Sequence, residues 1–169
     1  MARLFFAAWP DPRAAERLGE LAREIARLSR GKPVPDDKIH VTLAFLGEVP
    51  AARVAAASAA ARQVAFGAFP LRLDCAGSFR GARVGWAGCG APDPRLIALQ
   101  GELAARLREA GFALEERPFA PHATLARHIG QAIERFAVDP VAWNVDGFRL
   151  VRSEAGTGRY SVLETFAAR

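Results

Sequence analysis

The sequence predicts an α+β fold with an internal duplication. Two copies of one short pattern, His40-Val41-Thr42-Leu43 and His122-Ala123-Thr124-Leu125, contain two of the three histidines in the chain. These histidines lie 82 positions apart, about half of the 169 residues, and an amphipathic helix is predicted ahead of each of them. We therefore expect one domain, residues 1–169, that consists of two pseudo-symmetric lobes.

The first half of the chain is predicted to contain six elements. Apolar periodicity and turn residues place a strand, a helix, a strand, a helix and two further strands, in that order, at residues 4–9, 11–28, 39–46, 50–66, 69–79 and 82–89. The first helix has Pro12 in its first turn and Gly31 as its expected end. Its predicted apolar stripe consists of Ala15, Leu18, Leu21, Ile25 and Leu28.

The second half is predicted to repeat the order of helix and strand. A helix at residues 92–110, ended by Gly111, precedes the strand at 119–125 that carries the second tetrad. A shorter helix is expected near 131–136, and strands at 143–151 and 160–166 close the chain. Each tetrad thus lies on a strand that follows a long helix, which is why we expect a duplicated α+β plan.

Alternation along the two tetrad strands predicts which side chains share a face. In each tetrad the histidine and the threonine point the same way, whereas Val41 and Leu43 point to the opposite, apolar face with Ile39 and Phe45. If the two strands lie side by side, two imidazoles and two hydroxyls converge, an arrangement suited to proton transfer around a small anionic group. A single His-x-Thr pair is usually structural, but structure alone gives no reason to repeat it.

Composition narrows the functional classes. The chain is 51% hydrophobic and 24% charged, with a net charge of +5 that comes almost wholly from arginine, which favours planar contacts with phosphate. The opening apolar run is too short to span a membrane. Cys75 and Cys89 have no metal-binding spacing, and two cysteines are too few for a disulfide framework. We therefore expect a cytoplasmic protein that needs no membrane, no metal and no cofactor.

The tetrads and their surroundings resemble the two-histidine phosphoesterases, specifically the RNA 2',3'-cyclic phosphodiesterases once called 2'-5' RNA ligases. The resemblance spans nearly the whole chain, and the segments that carry it besides the tetrads are Arg3-Leu4-Phe5-Phe6-Ala7, Thr42-Leu43-Ala44-Phe45-Leu46-Gly47, Pro118-Phe119-Ala120-Pro121-His122 and Gly158-Arg159-Tyr160. It implies a bilobal fold whose antiparallel sheets line a central groove, with helices on the outside. It also implies metal-independent hydrolysis of RNA 2',3'-cyclic phosphate ends to 2'-phosphates, with 2'-5' ligation by the reverse path.

The two histidines and two threonines have expected roles in such a reaction. We assign His40 as the proton donor and His122 as the proton acceptor, because a water must be activated on one side of phosphorus and a ribose oxygen protonated on the other. Thr42 and Thr124 can donate hydrogen bonds to the phosphate oxygens. His128 has no tetrad and is expected at the surface.

Four further residues are candidates for substrate binding, each with a structural alternative. Strict alternation puts Arg127 on the apolar face, so it reaches the phosphate only if the strand twists, bulges or ends after Leu125. The same alternation puts Phe45 in the core, with base stacking as the alternative. Lys32 matches a basic position of the relatives or is simply solvated. Tyr160 approaches the groove or packs with its hydroxyl at an edge.

Three functional hypotheses follow. The first is a monomeric phosphodiesterase that acts on RNA ends or tRNA fragments, or alternatively on a small cyclic nucleotide. The second is a module that binds RNA ends without chemistry. The third, a metalloenzyme with histidine ligands, is disfavoured because no Asp, Glu or Cys accompanies the tetrads on the same strand face.

Overall fold

The structure, a computed structural model, describes residues 1–169 as three α-helices and nine β-strands. The helices are α1 (Pro12–Ser29), α2 (Val54–Arg62) and α3 (Pro94–Glu109). The strands, in chain order, are β1 (Ala2–Ala8), β2 (Lys32–Pro33), β3 (Val41–Val49), β4 (Phe69–Phe79), β5 (Val84–Gly88), β6 (His122–Arg127), β7 (Phe136–Val145), β8 (Gly147–Ser153) and β9 (Tyr160–Ala167).

All nine strands belong to one antiparallel sheet rather than to separate sheets. Its order is β7-β4-β5-β6-β3-β1-β8-β9, and the short β2 pairs with β6. The two middle strands, β3 and β6, are joined by a single residue pair, Val41 with Ala123. The sheet therefore consists of two four-stranded groups, which we call the first lobe (β3, β1, β8, β9) and the second lobe (β6, β5, β4, β7).

The lobes do not coincide with the halves of the sequence. Strands β8 and β9 come from the second half of the chain but pair with β1, whereas β4 and β5 come from the first half and lie beside β6. The expectation that the six elements up to about residue 89 make up one complete half of the duplicated fold is therefore wrong. Hydrophobic patterns mark strands but not their partners, which is why the exchange is not visible in the sequence.

Helices α1 and α3 connect the two lobes. Helix α1 follows β1 of the first lobe but packs on β6 of the second, and α3 follows β5 of the second lobe but packs on β3 of the first. A single apolar cluster of 38 buried residues fills the space between helices and sheet. The predicted α+β class, with helices outside, is confirmed.

Helix α1 begins as predicted but ends differently. The Asp11 side chain accepts a hydrogen bond from the Ala14 amide at 2.8 Å, and Pro12 follows in the first turn. Arg30, not Gly31, adopts the left-handed conformation that ends the helix, with φ of 56°. The buried face is also rotated from the predicted stripe, because Leu28 is exposed and the helix buries Ala14, Leu18, Ala22, Ile25 and Ser29.

Three other predicted elements differ from those in the structure. The predicted helix at 131–136 is absent, because Gly130 and Gln131 donate to the Ser29 carbonyl and Ile133 bonds to Ser78. Strand β7 starts at Phe136 and tolerates Pro140 because it is an edge strand. The single strand expected at 143–151 is broken between β7 and β8, and α2 covers only 54–62 of the predicted 50–66.

None of the helices combines the length and the hydropathy that crossing a membrane requires.

Candidate active site

The two tetrads meet where the lobes join. Val41 and Ala123 are opposite each other in the antiparallel pair of β3 and β6. Continuing that register places His40 on the side of Thr124, and Thr42 on the side of His122. Val41 and Ala123 point into the core and are fully buried, so the histidines and threonines point to the other face of the sheet.

Each tetrad contains a β-bulge at its leucine. In the first lobe, Phe6 pairs with Ala44 and Ala7 pairs with Thr42, so Leu43 has no partner of its own. In the second lobe, Gly85 pairs with Ala126 and Trp86 pairs with Thr124, which leaves Leu125 in the equivalent position. A bulge of this kind sets two residues against one and reverses the alternation beyond it.

The bulges turn Phe45 and Arg127 to the groove face. After the first bulge both Leu43 and Ala44 are buried, and Phe45 is 50% exposed. After the second bulge Leu125 and Ala126 are both fully buried, and Arg127 is exposed. The expectation that Phe45 is a core residue is therefore wrong, and the condition under which Arg127 shares the face of Thr124 is met.

A groove of about 1,190 Å³ runs along this face of the sheet. Its walls include five of the eight candidate site residues: Thr42, Phe45, His122, Thr124 and Arg127. Helix α3 contributes Gln100 and Arg108, and the segment between α3 and β6 contributes Glu115 and Arg117. His40 adjoins this groove from the first lobe without lining it.

Both imidazoles are held in one tautomer by the backbone. Nδ1 of His40 lies 2.7 Å from the Lys38 carbonyl oxygen, and Nδ1 of His122 lies 2.8 Å from the Ala120 carbonyl oxygen. Because a carbonyl oxygen can only accept, Nδ1 carries the hydrogen in each ring and donates it. The neutral rings therefore keep Nε2 free as a proton acceptor. In both half-sites, by which we mean each tetrad with its neighbouring side chains, the carbonyl that accepts from Nδ1 belongs to the residue two positions before the histidine.

His40 is enclosed by aromatic rings. Phe5 stacks on it at 5.0 Å, Trp9 lies at 4.7 Å and Tyr160 meets it edge-on at 5.8 Å between ring centroids. Burial, with smaller electrostatic contributions from Arg127 and His122, lowers the pKa of His40 from 6.5 to about 4, although the hydrogen bond to the Lys38 carbonyl acts in the opposite direction. His40 is thus neutral at pH 7 in the ligand-free protein.

His122 is more open than His40. Its ring contacts one aromatic side chain, Phe79, edge-on at 5.2 Å, and Phe79 stacks in turn on Trp86 at 5.3 Å. The indole lies against strands β4 and β5, where a Cβ on Gly77 would come within 2.7 Å of it and one on Gly88 within 3.0 Å. These two glycines therefore make room for the stacked rings of Trp86 and Phe79, which lie beside Thr124.

The remaining candidates lie at the margins of the groove. Lys32 pairs directly with Arg127 across β2 and β6, so the two side chains share a face, and Lys32 is exposed. Tyr160 packs against His40 and Phe5, and the Lys38 ammonium lies 5.7 Å from its ring centroid. His128 is exposed, as predicted.

Several groove residues have no signal in the sequence. Gln100, Arg108 and Arg117 come from a helix and a loop whose position over the sheet depends on tertiary packing. Phe5 is distinguishable from the core residue Phe6 only by alternation, which places it on the face of His40. No group of three or more His, Cys, Asp or Glu side chains with metal-binding geometry occurs in the structure.

Comparisons with known proteins agree on one family. The model of the 2'-5' RNA ligase superfamily matches residues 10–157. The RNA 2',3'-cyclic phosphodiesterase of Escherichia coli K12 is 37% identical over 143 residues, which cover 81% of this chain and 80% of that protein. The RNA 2',3'-cyclic phosphodiesterase of Thermus thermophilus is 34% identical over 187 residues, 99% of this chain and 90% of that protein.

A solved structure extends the similarity to the fold. The crystal structure of E. coli LigT complexed with 3'-AMP superposes with a TM-score of 0.87 at 34% identity, over 99% of this chain and 98% of that one.

Proposed function

We propose that this chain, which belongs to the 2'-5' RNA ligase superfamily, hydrolyses RNA 2',3'-cyclic phosphodiester ends. The observation that carries the proposal is the meeting of two His-x-Thr-Leu tetrads at the joint of the lobes, each with its imidazole tied at Nδ1 and free at Nε2. Two such rings flanking one groove can supply both proton transfers of the reaction.

In the proposed reaction, His122 accepts a proton from water through Nε2, and the water oxygen attacks phosphorus. The bond from phosphorus to the ribose 3' oxygen breaks, and His40 gives that oxygen a proton through its own Nε2. The product carries a 2'-phosphate. When the 5'-hydroxyl of a second RNA end attacks phosphorus in place of the water, the same displacement of the 3' oxygen joins the two ends by a 2'-5' linkage. Neither proton transfer requires a metal ion.

The negative charge of the substrate helps His40 in its proposed role. A proton donor must start protonated, whereas burial holds the pKa of His40 near 4 in the ligand-free protein. A bound cyclic phosphate carries a negative charge that favours the imidazolium form and offsets the repulsion from Arg127. We therefore propose that substrate binding raises the pKa of His40 before the bond breaks.

The other groove residues would hold the two parts of the substrate. Thr42 and Thr124, one on each strand, can donate to the non-bridging oxygens, whose charge rises in the transition state. Arg127 adds a guanidinium on the same face, with Lys32 beside it. Phe45 offers an exposed ring for base stacking, and Tyr160 supports the ring of His40.

We further propose that the protein acts as a cytoplasmic monomer on RNA ends or tRNA fragments. Its two cysteines are free thiols, which is compatible with a reducing compartment.

The decisive experiment is incubation of the protein with an oligonucleotide that ends in a 2',3'-cyclic phosphate, in the presence of EDTA. We expect turnover to a product with a 2'-phosphate, identified by NMR or by its resistance to a 3'-specific phosphatase. Binding without product would favour a non-catalytic module, and loss of turnover in EDTA would favour a metalloenzyme. A 3'-phosphate product would mean that the leaving oxygen is assigned wrongly.

A further inference from the structure

The groove extends well beyond the residues that the proposed reaction uses. From His122 and Arg127 it continues past the β4–β5 turn to the last turns of α3 and the segment that follows it. Its volume of about 1,190 Å³ exceeds the roughly 300–1,000 Å³ of pockets that hold one small ligand. The groove thus has space for more than a terminal nucleotide.

Two arginines line this distal part of the groove and are oriented by one residue. Arg108 donates from its guanidinium to the Glu115 carbonyl oxygen at 3.4 Å, and Arg117 forms an ion pair with the Glu115 carboxylate. Each guanidinium has five N–H donors, so each can bind a further anion while it keeps its contact with Glu115. Both side chains are exposed, so an approaching ligand can reach them.

The charge of the groove suits a chain of phosphates. Its walls contain three arginines, Arg108, Arg117 and Arg127, against one acidic residue, Glu115. The first two lie on α3 and its following segment, while Arg127 lies on β6 next to the tetrad. One cyclic phosphate at the histidines can use Arg127, which leaves the distal arginines without a role in the reaction itself.

We propose that Arg108 and Arg117 bind a phosphodiester group of the RNA upstream of the cyclic phosphate, so that the substrate is an oligoribonucleotide rather than a mononucleotide. This inference rests on the proposed function. Contacts with a phosphate carry no sequence information, so this subsite selects for chain length and not for base identity.

The test compares substrates of increasing length. The ratio kcat/KM is measured for a 2',3'-cyclic mononucleotide and for di-, tri- and tetranucleotides with the same cyclic end. For the wild-type protein we expect it to rise once an upstream phosphate is present. In Arg108→Ala and Arg117→Ala the longer substrates lose about tenfold, the usual effect of one charged hydrogen bond, while the mononucleotide keeps its rate.

Arg106→Ala is the matched control. Arg106 is also on α3 and is also paired with a glutamate, Glu109, at 3.3 Å, but it does not line the groove. This variant removes the same charge and should keep the full advantage of longer substrates. Arg108→Gln and Arg117→Gln, checked by thermal melts, separate loss of the contact from loss of the fold.

Salt dependence gives a second readout that a structural role would not move. The slope of log Kd against log salt, measured for a labelled tetranucleotide ending in a 2'-phosphate, should become shallower by about 0.7 for each phosphate contact removed. Equal kcat/KM values for mononucleotide and tetranucleotide in the wild type would overturn the inference and leave the proposed function intact.

A wild type that hydrolyses no cyclic phosphate would instead contradict the proposed function. The binding measurement still decides the inference in that case, because it does not require turnover. Tetranucleotide affinity that falls in the Arg108 and Arg117 variants but not in Arg106→Ala would support it. Equal affinities in all three variants would reject it.

Discussion

The two half-sites have the same backbone arrangement, but different side chains surround their histidines. Both have a bulged leucine in the tetrad, and both tie the imidazole Nδ1 to a carbonyl two residues upstream. Three aromatic rings surround His40, whereas one ring touches His122. At the equivalent position beyond each bulge, the first lobe has Phe45 and the second has Arg127.

This difference shows how a duplicated frame can serve an asymmetric reaction. The paired strands β3 and β6 carry two equivalent imidazoles on the same face of the sheet, which suits an acid and a base on opposite sides of phosphorus. The unlike neighbours then separate their properties, since burial lowers the pKa of His40. The phenyl ring on one side and the guanidinium on the other suit the base and the phosphate of one nucleotide.

Replacement of either histidine should have the largest effect. We expect His40→Ala and His122→Ala each to lower kcat by roughly 10²–10⁴, the usual share of acid–base catalysis, and His128→Ala to be nearly silent. Cyclic-phosphate hydrolysis measures all three. Near-full activity of either tetrad variant would rule out the paired mechanism.

The roles of the two histidines are separated by a substrate with an aryl leaving group, which needs no protonation. His40→Ala should regain most of its rate on that substrate, and His122→Ala should not. The opposite pattern would exchange the two roles.

The pH dependence sharpens the comparison between the buried and the open histidine. Because the pKa of His40 is lowered to about 4, protonated His40 is about 300 times scarcer relative to the neutral form than for an ordinary histidine. As the proposed proton donor, His40 is active in its protonated form, so the limb of kcat/KM that reflects the loss of this proton in the free protein should lie near pH 4 rather than near 6.5. The corresponding limb of kcat should lie at higher pH, because the bound phosphate favours the charged ring and so raises the pKa of His40.

Matched aromatic variants test the cause of that shift. Phe5→Ala opens the enclosure of His40, reduces its desolvation and should move the limb of kcat/KM that His40 sets to higher pH. Phe79→Ala, which removes the ring beside His122, should leave that limb in place. An unmoved limb in Phe5→Ala would show that burial by the aromatic rings is not what lowers the pKa.

The residues beyond the bulges should differ in the kinetic constant they affect. Arg127→Ala removes the cation that we propose to contact the reacting phosphate, and we expect kcat to fall by about 10². Phe45→Ala removes a stacking surface and should raise KM by about tenfold with little change in kcat. Steady-state kinetics on a cyclic-phosphate oligonucleotide separates the two effects. A rise in KM alone for Arg127→Ala would place its contact away from the transition state.

The two threonines provide a symmetric control for these asymmetric positions. Thr42→Val and Thr124→Val keep the shape of the side chain but remove the hydroxyl, and each should lower kcat by about tenfold, less than the histidine changes. Thermal melts measured alongside should be nearly unchanged. A loss of stability that accounts for the lost activity would mark the threonines as structural.

The sequence predicts the tetrads and most elements well because these depend on local patterns. Strand β4 has the predicted bounds of residues 69–79, and His40, Thr42, His122 and Thr124 share the expected face. The bulges at Leu43 and Leu125 are not predictable by alternation, since both bulged leucines are buried like ordinary core residues. Alternation therefore places Phe45 on the wrong face, and the exchange of strands between lobes depends on pairing that local patterns do not encode.

The smallest expected effect concerns the hydrogen bonds to the carbonyl oxygens of the two bulged leucines. The carbonyl oxygen of Leu125 accepts from the backbone amide of Val34 at 2.8 Å, whereas that of Leu43 accepts from the side-chain amide of Gln100 at 3.2 Å. Only the first-lobe bulge can therefore be released by a side-chain change. Gln100→Met removes the donor at similar size, and we expect a loss of a few-fold in kcat/KM, the effect of one neutral hydrogen bond.

Gln63→Met, on exposed surface away from the groove, is the control for that substitution. If the amide of Gln100 positions Phe45 and Thr42, the variant should depend less on the identity of the 3'-terminal base, because the stacking ring is less well fixed. Equal losses in Gln100→Met for all four terminal bases, together with a lower melting temperature, would show that the amide only stabilises the fold. The second-lobe bulge is held by a backbone amide, which no side-chain substitution removes. A substitution that removes the hydrogen bond at the bulge is therefore possible only in the first lobe.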